Sequence, residues 1–275
     1  MYQLKKFMNL MTMNFYILLA CFIQFFMFIL FIALSLAFFT LMERKILGII
    51  HFRLGPNKLI LKGLLQPMAD AMKLITKSDK NISWSNKFFF IFSPVFMIAI
   101  SFILWFIFPH YWVLFDNSYS ILVLLIFFGF EIFSLIFSSW SSNSKYAMIG
   151  MVRAISQSIS QEMVLSLVFI YFMWSMKSYR LESFLNISLW FLVINLPIFL
   201  VCLISFLAMV SRTPFDLTEG ESELVSGYSV EYGGIMYTLI FLSETSQLIF
   251  SSSLYKSMYF LHMVYSPHNM SLHQM

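Results

Sequence analysis

Acidic residues are few in this sequence, and five of its 13 carboxylates fall within residues 211–232. The segment reads SRTPFDLTEGESELVSGYSVEY, and Arg212 is its only base. Its acids are Asp216, Glu219, Glu221, Glu223 and Glu231. Apolar stretches flank it, and an acid cluster in that setting needs water, cations or protons as partners. The pattern indicates proton or cation chemistry at a membrane; the alternative is a solvated acidic face.

Three further glutamates, Glu131, Glu162 and Glu244, lie within apolar stretches or at the mouth of one. A lone charge at the centre of a bilayer costs about 2.5–3.5 kcal/mol on insertion scales. We therefore expect these carboxyls to face the interior of a helix bundle and to take part in function. Packing of a protonated glutamate is the alternative for Glu131 and Glu244.

A semi-polar stretch leads up to Glu162. Arg153, Gln157 and Gln161 recur there every four residues, so they share one face of a helix. A stripe of arginine and amides that ends beside a carboxyl suggests a hydrated path to it. Plain entry of a helix through the membrane interface is the alternative.

The composition indicates the elements that position these residues. The sequence is 60% hydrophobic and 11% charged, whereas a soluble domain is roughly 45–50% apolar and about 25% charged. A membrane-spanning helix needs about 20 apolar residues. Six runs qualify: 15–42, 88–108, 120–138, 159–176, 187–210 and 235–250. The sequence predicts an all-α, polytopic transmembrane bundle that forms a single domain over residues 1–275.

The charges predict the orientation of this bundle. Nine of the 17 lysines and arginines fall within residues 43–87. The positive-inside rule places that loop on the side of synthesis, either a bacterial cytoplasm or a mitochondrial matrix. Six alternating spans put the acidic segment 211–232 on the same side. Because this topology accounts for the net charge of +4, nucleic-acid binding is not needed to explain it.

The first loop contains an amphipathic pattern. Polar residues line one face of a predicted helix at Lys58, Lys62, Gln66, Asp70, Lys73 and Lys77. Such a helix is expected to lie in the membrane interface, with a kink at Pro67. Asp70 is a candidate for function or for a simple pair with Gln66 or Lys73. The triplet Glu43-Arg44-Lys45 is interpreted as an anchor that stops the first span.

Several kinds of redox and metal site are not predicted. Cys21 and Cys202 are isolated within apolar spans, so we interpret them as packing residues. His262, His268 and His273 are interpreted as surface residues, because their spacing does not suit a metal. The sequence has no phosphate-binding glycine-rich loop and no dinucleotide fingerprint. We therefore expect no metal, haem or NADH site in this chain.

Longer motifs stand in order along the chain: ERKILG at 43–48, RLGPN at 53–57, LQPMADAMKL at 65–74, WSSNS at 140–144, RAISQ at 153–157, RTPFD at 212–216, EGESELVSG at 219–227 and VEY at 230–232. Together they resemble the chain 1 family of mitochondrial NADH–ubiquinone oxidoreductases, the membrane subunits at the heel of respiratory complex I. The resemblance runs from about residue 41 to residue 246.

The resemblance implies a role in a redox-driven proton pump. Members of that family form the ubiquinone chamber at the junction with the peripheral arm and begin the proton path into the membrane arm. It implies ubiquinone as substrate, with NADH, FMN and iron–sulfur clusters held only by partner subunits. The implied partners are membrane-arm and peripheral-arm subunits, ubiquinone and membrane lipids. The implied location is the mitochondrial inner membrane, crossed several times.

Motif by motif, the resemblance also implies residue roles. Those assigned to the quinone chamber or its support are Arg44, Arg53, Asp70, Lys73, Arg153 and Arg212. The acids of segment 211–232 match the family's acidic loop, which responds to the redox state of the quinone. Glu162 and Glu244 match glutamates of the lateral proton path.

The sequence departs from the family in two ways. The family reads Ala-Glu-Thr-Asn-Arg-Thr-Pro where this chain has AMVSRTP at 208–214, so Met209 replaces a proton-path glutamate. Glu131 falls where the family is apolar, and we hypothesise that it replaces the lost carboxyl in space. The family also has two spans beyond the six counted here, which indicates either a truncated sequence or a shortened subunit.

A stand-alone proton or cation channel, or an antiporter, is the alternative function, because it also needs buried acids. It predicts activity from the isolated chain, whereas a complex I subunit is expected to be inert alone. A purely structural anchor does not explain three carboxyls at bilayer depth.

Overall fold

The computed structural model describes residues 2–78, 84–108, 118–186, 195–217 and 227–259. Its helices are α1 (Tyr2–Ile50), α2 (Ile60–Gly63), α3 (Gln66–Thr76), α4 (Lys87–Ile107), α5 (Ser120–Ser142), α6 (Lys145–Met176), α7 (Leu196–Met209) and α8 (Gly234–Tyr259). Short 3-10 turns cover Leu181–Asn186 and Gly227–Ser229. The predicted all-α class is confirmed for this part of the chain.

Helices lie at all six positions where the sequence predicts spans. Among the described residues, four stretches are long and apolar enough to cross a membrane: Phe22–Ile50, Lys87–Ile107, Ser120–Ser142 and Lys145–Met176. The apolar helix α7 is shorter, at 14 residues, and residues 187–194 of the fifth predicted span lie outside the described part. The 26-residue α8 has the length of a span but a more polar sequence. The polytopic helical bundle is confirmed.

The first helix is longer than predicted. It continues through Glu43, Arg44 and Lys45 to Ile50, so the interpretation of this triplet as a helix stop is wrong. Arginine and lysine are good helix formers, and both side chains find hydrogen-bond acceptors within the first unit. Arg44 Nε donates to the Thr40 carbonyl at 3.4 Å, and Lys45 Nζ donates to the Lys62 carbonyl at 3.0 Å.

The helix that carries Glu162 also begins earlier than predicted. Its N-cap is Ser144, whose hydroxyl accepts a hydrogen bond from the Ala147 N–H at 3.3 Å. The semi-polar stretch before Glu162 is therefore part of one 32-residue helix, α6. Gln157 and Gln161 stand on this helix one turn apart, as the sequence predicts.

The amphipathic segment 58–77 forms two helices instead of the single kinked helix predicted. Lys62 and Gly63 have left-handed backbone angles, with φ of 57° and 84°, and α2 ends there. A Cβ at Gly63 would lie 2.1 Å from the Pro56 carbonyl oxygen, so this turn requires glycine. Pro67 lies in the first turn of α3, where a missing N–H is tolerated, and it does not kink the helix.

The chain forms two compact units, Met1–Met72 and Lys73–Met275. In the second unit, one hydrophobic core draws on all of the helices α4 to α8. Each contributes a buried side chain: Leu104, Phe128, Phe169, Cys202 and Phe250. Cys202 is 1% exposed, which confirms its interpretation as a packing residue. The assignment of residues 1–275 to a single domain stays a prediction.

Candidate functional site

A cavity of about 440 Å³ lies within the second unit. Side chains of α5, α6 and α8 line it, together with the segment that follows α7. Four of the lining residues are acids: Glu131, Glu162, Glu244 and Asp216. We call this space the acidic cavity. Three glutamates that the sequence places on separate spans therefore border one space.

Glu131 faces the interior of the bundle, as predicted. Its carboxyl lies within electrostatic range of Glu244 and Glu162, and beside the amide of Gln247. Glu131 is half-buried because it lines the cavity. A carboxyl that borders a cavity can reach water there, which makes its presence at membrane depth tolerable.

Amide side chains line the cavity between these acids. The Gln157 Nε2 donates to the carbonyls of Ala208 (2.9 Å) and Phe215 (2.7 Å), so it ties α6 to the end of α7 and to the start of the acidic segment. Among the described residues, Gln157 Oε1 and Gln161 Nε2 have no hydrogen-bond partner. Gln157 and Gln247 are only 8% and 5% exposed. Polar groups of this kind bind ordered water in a cavity.

Tyr228 connects the far end of the acidic segment to Glu244. It lies in the 3-10 turn Gly227–Ser229, is 2% exposed, and donates its hydroxyl hydrogen to the Glu244 carboxylate. The turn itself is fixed against α6, since a Cβ at Gly150 would lie 3.0 Å from Gly227 C and from Tyr228 N. Sequence reasoning missed Tyr228, because a single tyrosine in a loop carries no periodic signal.

Tyr232 anchors the same segment to α4 and α5. Its hydroxyl donates to the Ser138 carbonyl at 2.9 Å and lies 3.1 Å from Ser93 Oγ and 3.3 Å from Ser141 Oγ. Its ring stacks on Phe90 with centroids 4.2 Å apart. Burial raises the pKa of the Tyr232 hydroxyl, and the hydrogen bonds with Ser141 and Ser93 lower it by less. The hydroxyl therefore stays a neutral donor near pH 7.

Tyr232→Phe is expected to destabilise the fold by about 1–3 kcal/mol, because it leaves buried polar partners without their hydroxyl. Thermal unfolding of the purified chain in detergent measures the effect as a lower melting temperature. Tyr146→Phe is the matched control, since Tyr146 is 65% exposed. Equal melting temperatures for the two variants would contradict this role for the Tyr232 hydroxyl.

The other members of the acidic segment differ in position. Asp216 and Arg212 line the cavity, and Asp216 Oδ1 has no hydrogen-bond partner in the described part of the chain. Glu231 is half-buried in the turn before α8 and is not among the cavity-lining residues. The predicted acids Glu219, Glu221 and Glu223 lie outside the described residues. Of the five predicted acids, Asp216 therefore borders the cavity and Glu231 does not.

Met209 also lines the acidic cavity, at the end of α7. Its thioether cannot carry a proton, and it packs against the apolar core. Glu131 on α5 borders the same space. Met209 and Glu131 thus lie on the wall of the same cavity. This arrangement is required if Glu131 replaces a carboxyl at position 209.

The basic candidates of the first unit centre on Asp70. Gln66 Nε2 donates to Asp70 Oδ1 at 2.9 Å, so the predicted pair with Gln66 is confirmed. Arg44 Nη1 contacts Asp70 Oδ2 at 2.7 Å, which the sequence did not predict. Both side chains of this ion pair are more than one-third exposed, and such pairs add about 1 kcal/mol or less to stability. Arg53 lies exposed in the turn after α1.

Besides Arg212, two basic candidates belong to the second unit. Lys73 is exposed on α3. Arg153 is half-buried on α6, but it is not among the residues that line the acidic cavity. The predicted stripe therefore reaches the cavity through Gln157 and Gln161 only.

Other predictions fall outside the site. Within the described residues, no group of His, Cys, Asp and Glu side chains is arranged to hold a metal ion. His262, His268 and His273 lie outside the described residues, as does the side chain of Cys21. Their interpretations stay predictions.

Comparison with known proteins gives consistent matches. A family model described as NADH dehydrogenase matches residues 23–272. The chain is 41% identical over 257 residues to NADH-ubiquinone oxidoreductase chain 1 of Locusta migratoria, covering 93% of this chain and 77% of that protein. The protein of the same name from Balaenoptera physalus is 40% identical over 244 residues, covering 88% and 76%. All of the cavity-lining residues lie inside the span that the family model matches.

Proposed function

This chain belongs to the NADH dehydrogenase family, whose matched relatives are named NADH-ubiquinone oxidoreductase chain 1, and we propose that it is a core membrane subunit of respiratory complex I. In this role it forms part of the ubiquinone-binding chamber and the entry to the proton path that couples electron transfer to proton pumping. Ubiquinone is the substrate. NADH, FMN and the iron–sulfur clusters belong to partner subunits of the membrane and peripheral arms. The chain works in the mitochondrial inner membrane.

The observation that carries this proposal is the acidic cavity. Glu131, Glu162, Glu244 and Asp216 line one space of about 440 Å³ in an otherwise apolar bundle. Carboxylates that border one cavity repel one another when ionised, and Glu131 lies within electrostatic range of both Glu244 and Glu162. Amides with unused hydrogen-bonding groups line the same cavity. Water bound to these amides would link one carboxyl to the next.

The proton path that we infer runs through Glu162, Glu131 and Glu244. Reduction of a quinone consumes protons and changes the local charge, and a charge change acts strongly on neighbouring carboxylates in a low-dielectric site. Each of the three carboxyls holds a proton in turn and passes it through cavity water. Glu131 supplies the carboxyl that Met209 cannot supply, since both border the cavity.

The acidic segment transmits the state of the quinone to this path. Its first part is tied to α6 through the Phe215 carbonyl, which accepts a hydrogen bond from Gln157. Its last part is tied to Glu244 through Tyr228. A shift of the segment would therefore change hydrogen bonds at two sides of the cavity. The acids assigned to this response are Asp216, Glu219, Glu221, Glu223 and Glu231.

The basic candidates serve the quinone chamber in this proposal. Arg44 pairs with Asp70, which Gln66 also contacts, so this carboxylate orients the guanidinium. Arg53 is a further cation at the chamber. Lys73, Arg153 and Arg212 support the chamber or its entrance.

Native gel electrophoresis tests the proposal. We expect the chain to co-migrate with an NADH-oxidising assembly whose quinone reductase activity is blocked by quinone-site inhibitors. We also expect the isolated chain to be inert when reconstituted in liposomes under a pH gradient. Proton or cation flux through the isolated chain, without such an assembly, would instead support a stand-alone channel or antiporter.

A further inference from the structure

We propose that Gly129 is a positioning residue, which seats the carboxyl of Glu162 against α5 and so keeps it within reach of Glu131. This inference rests on the proposed function and adds to it a residue without a titratable group. Gly129 lies in the interior of α5, where glycine weakens a helix relative to alanine. The side chain of Glu162 lies opposite it on α6, and this contact explains the glycine.

The contact joins α5 and α6. A Cβ at Gly129 would lie 2.9 Å from Glu162 Oε1, 3.7 Å from its Cδ and 3.8 Å from Oε2. The absence of a side chain at 129 therefore gives the carboxyl its place on the surface of α5. Glu131 follows two residues later on the same helix, within electrostatic range of Glu162.

Other glycines in this unit meet different surroundings. At Gly150 a Cβ would lie 3.0 Å from backbone atoms of Gly227 and Tyr228. These atoms can move only if the whole 3-10 turn Gly227–Ser229 moves with them. At Gly233 a Cβ would meet nothing within 4 Å. At Gly129 the obstructed atom is the end of a flexible side chain. Gly129→Ala should therefore leave the helices in place and move the Glu162 carboxyl by about 0.5 Å to normal contact distance.

A displacement of this size matters for proton transfer, because a reacting group misplaced by about 1 Å can lose about 100-fold in rate. We expect Gly129→Ala to lower NADH-driven proton translocation by about threefold to tenfold in proteoliposomes that contain the assembled complex. We also expect it to shift the pH dependence of turnover, since the surroundings of a titrating group change. Gly233→Ala is the control and should match wild type in both measurements.

A second substitution separates the seating of a carboxyl from simple packing. Glu162→Asp shortens the side chain by one methylene and should lower the rate alone, because the carboxyl withdraws from α5. In the double variant Gly129→Ala/Glu162→Asp the shorter acid has room beside the new methyl group. We expect the double variant to translocate protons faster than Gly129→Ala alone.

Two results would overturn the inference. One is a wild-type rate and pH profile for Gly129→Ala. The other is a double variant whose loss in rate equals the product of the losses of Gly129→Ala and Glu162→Asp. The loss from Gly129→Ala would then come from disturbed helix packing. Glu162→Gln separates these results from failure of the proposed function. If Glu162→Gln is inactive, the proposed path stands whatever Gly129→Ala does; if Glu162→Gln is fully active, the proposed function itself fails.

Discussion

Replacing Glu131 with glutamine is expected to lower NADH-driven proton translocation by about 100-fold, the contribution typical of a group that transfers a proton. Glutamine keeps the size of the side chain and its capacity to hydrogen-bond, but its amide does not ionise and cannot take up and release a proton as a carboxyl does. The carboxyl lies among Glu244, Glu162 and Gln247 on the wall of the acidic cavity, so no other group of α5 takes its place. Acidification of proteoliposomes that contain the assembled complex measures the effect.

Glu182→Gln is the matched control for this experiment. Glu182 is exposed in the 3-10 turn Leu181–Asn186, away from the cavity-lining residues. The same chemical change should leave its proton translocation at the wild-type rate. Full translocation by Glu131→Gln would remove Glu131 from the path and leave the loss of a carboxyl at Met209 without a replacement.

Glu162→Gln is expected to abolish quinone reduction by the assembled complex, with a loss of about 100-fold or more in turnover. Glu162 follows Gln157 and Gln161 along α6, and all three line the acidic cavity, so the proposed path begins at Glu162. Glutamine there interrupts the path at its start. Turnover with ubiquinone is the measurement, and turnover with an artificial acceptor that bypasses the quinone site should be unchanged.

Comparing the turnover of Glu162→Gln with ubiquinone and with the artificial acceptor distinguishes a blocked proton path from a complex that has not assembled. Loss with both would mean that the complex has not assembled, and the assignment would then depend on Glu162→Asp, whose withdrawn carboxyl is expected to lower ubiquinone turnover alone. Unchanged ubiquinone turnover and pumping would refute the assignment of Glu162 to the proton path.

The helices were predictable because bilayer thickness fixes the length of an apolar run. Their ends were less predictable. Charged residues at 43–45 interrupt the apolar run but not the helix, since Arg44 finds an acceptor within α1 and Lys45 finds one in α2. The polar start of α6 also escaped the hydropathy pattern. An N-cap serine sets the start of this helix, whatever the hydropathy of the residues after it.

The candidate acids were also predictable, because a carboxylate in an apolar run stands out. Their convergence on one cavity was only a hypothesis, since it depends on how the helices rotate and pack, and no single span encodes that. Tyr228, Tyr232 and Gly129 were missed. A loop tyrosine or a helix glycine gives no signal until its contact is known, and the contacts here are made across the fold.

The number of protons translocated per NADH in the double variant Glu131→Gln/Met209→Glu tests the central claim most directly. If the proposed path needs a third carboxyl beside Glu162 and Glu244 at the cavity wall, moving that carboxyl from α5 to the end of α7 should restore most of the translocation that Glu131→Gln loses. A double variant as inactive in pumping as Glu131→Gln, in a complex that still oxidises NADH with an artificial acceptor, would contradict the account.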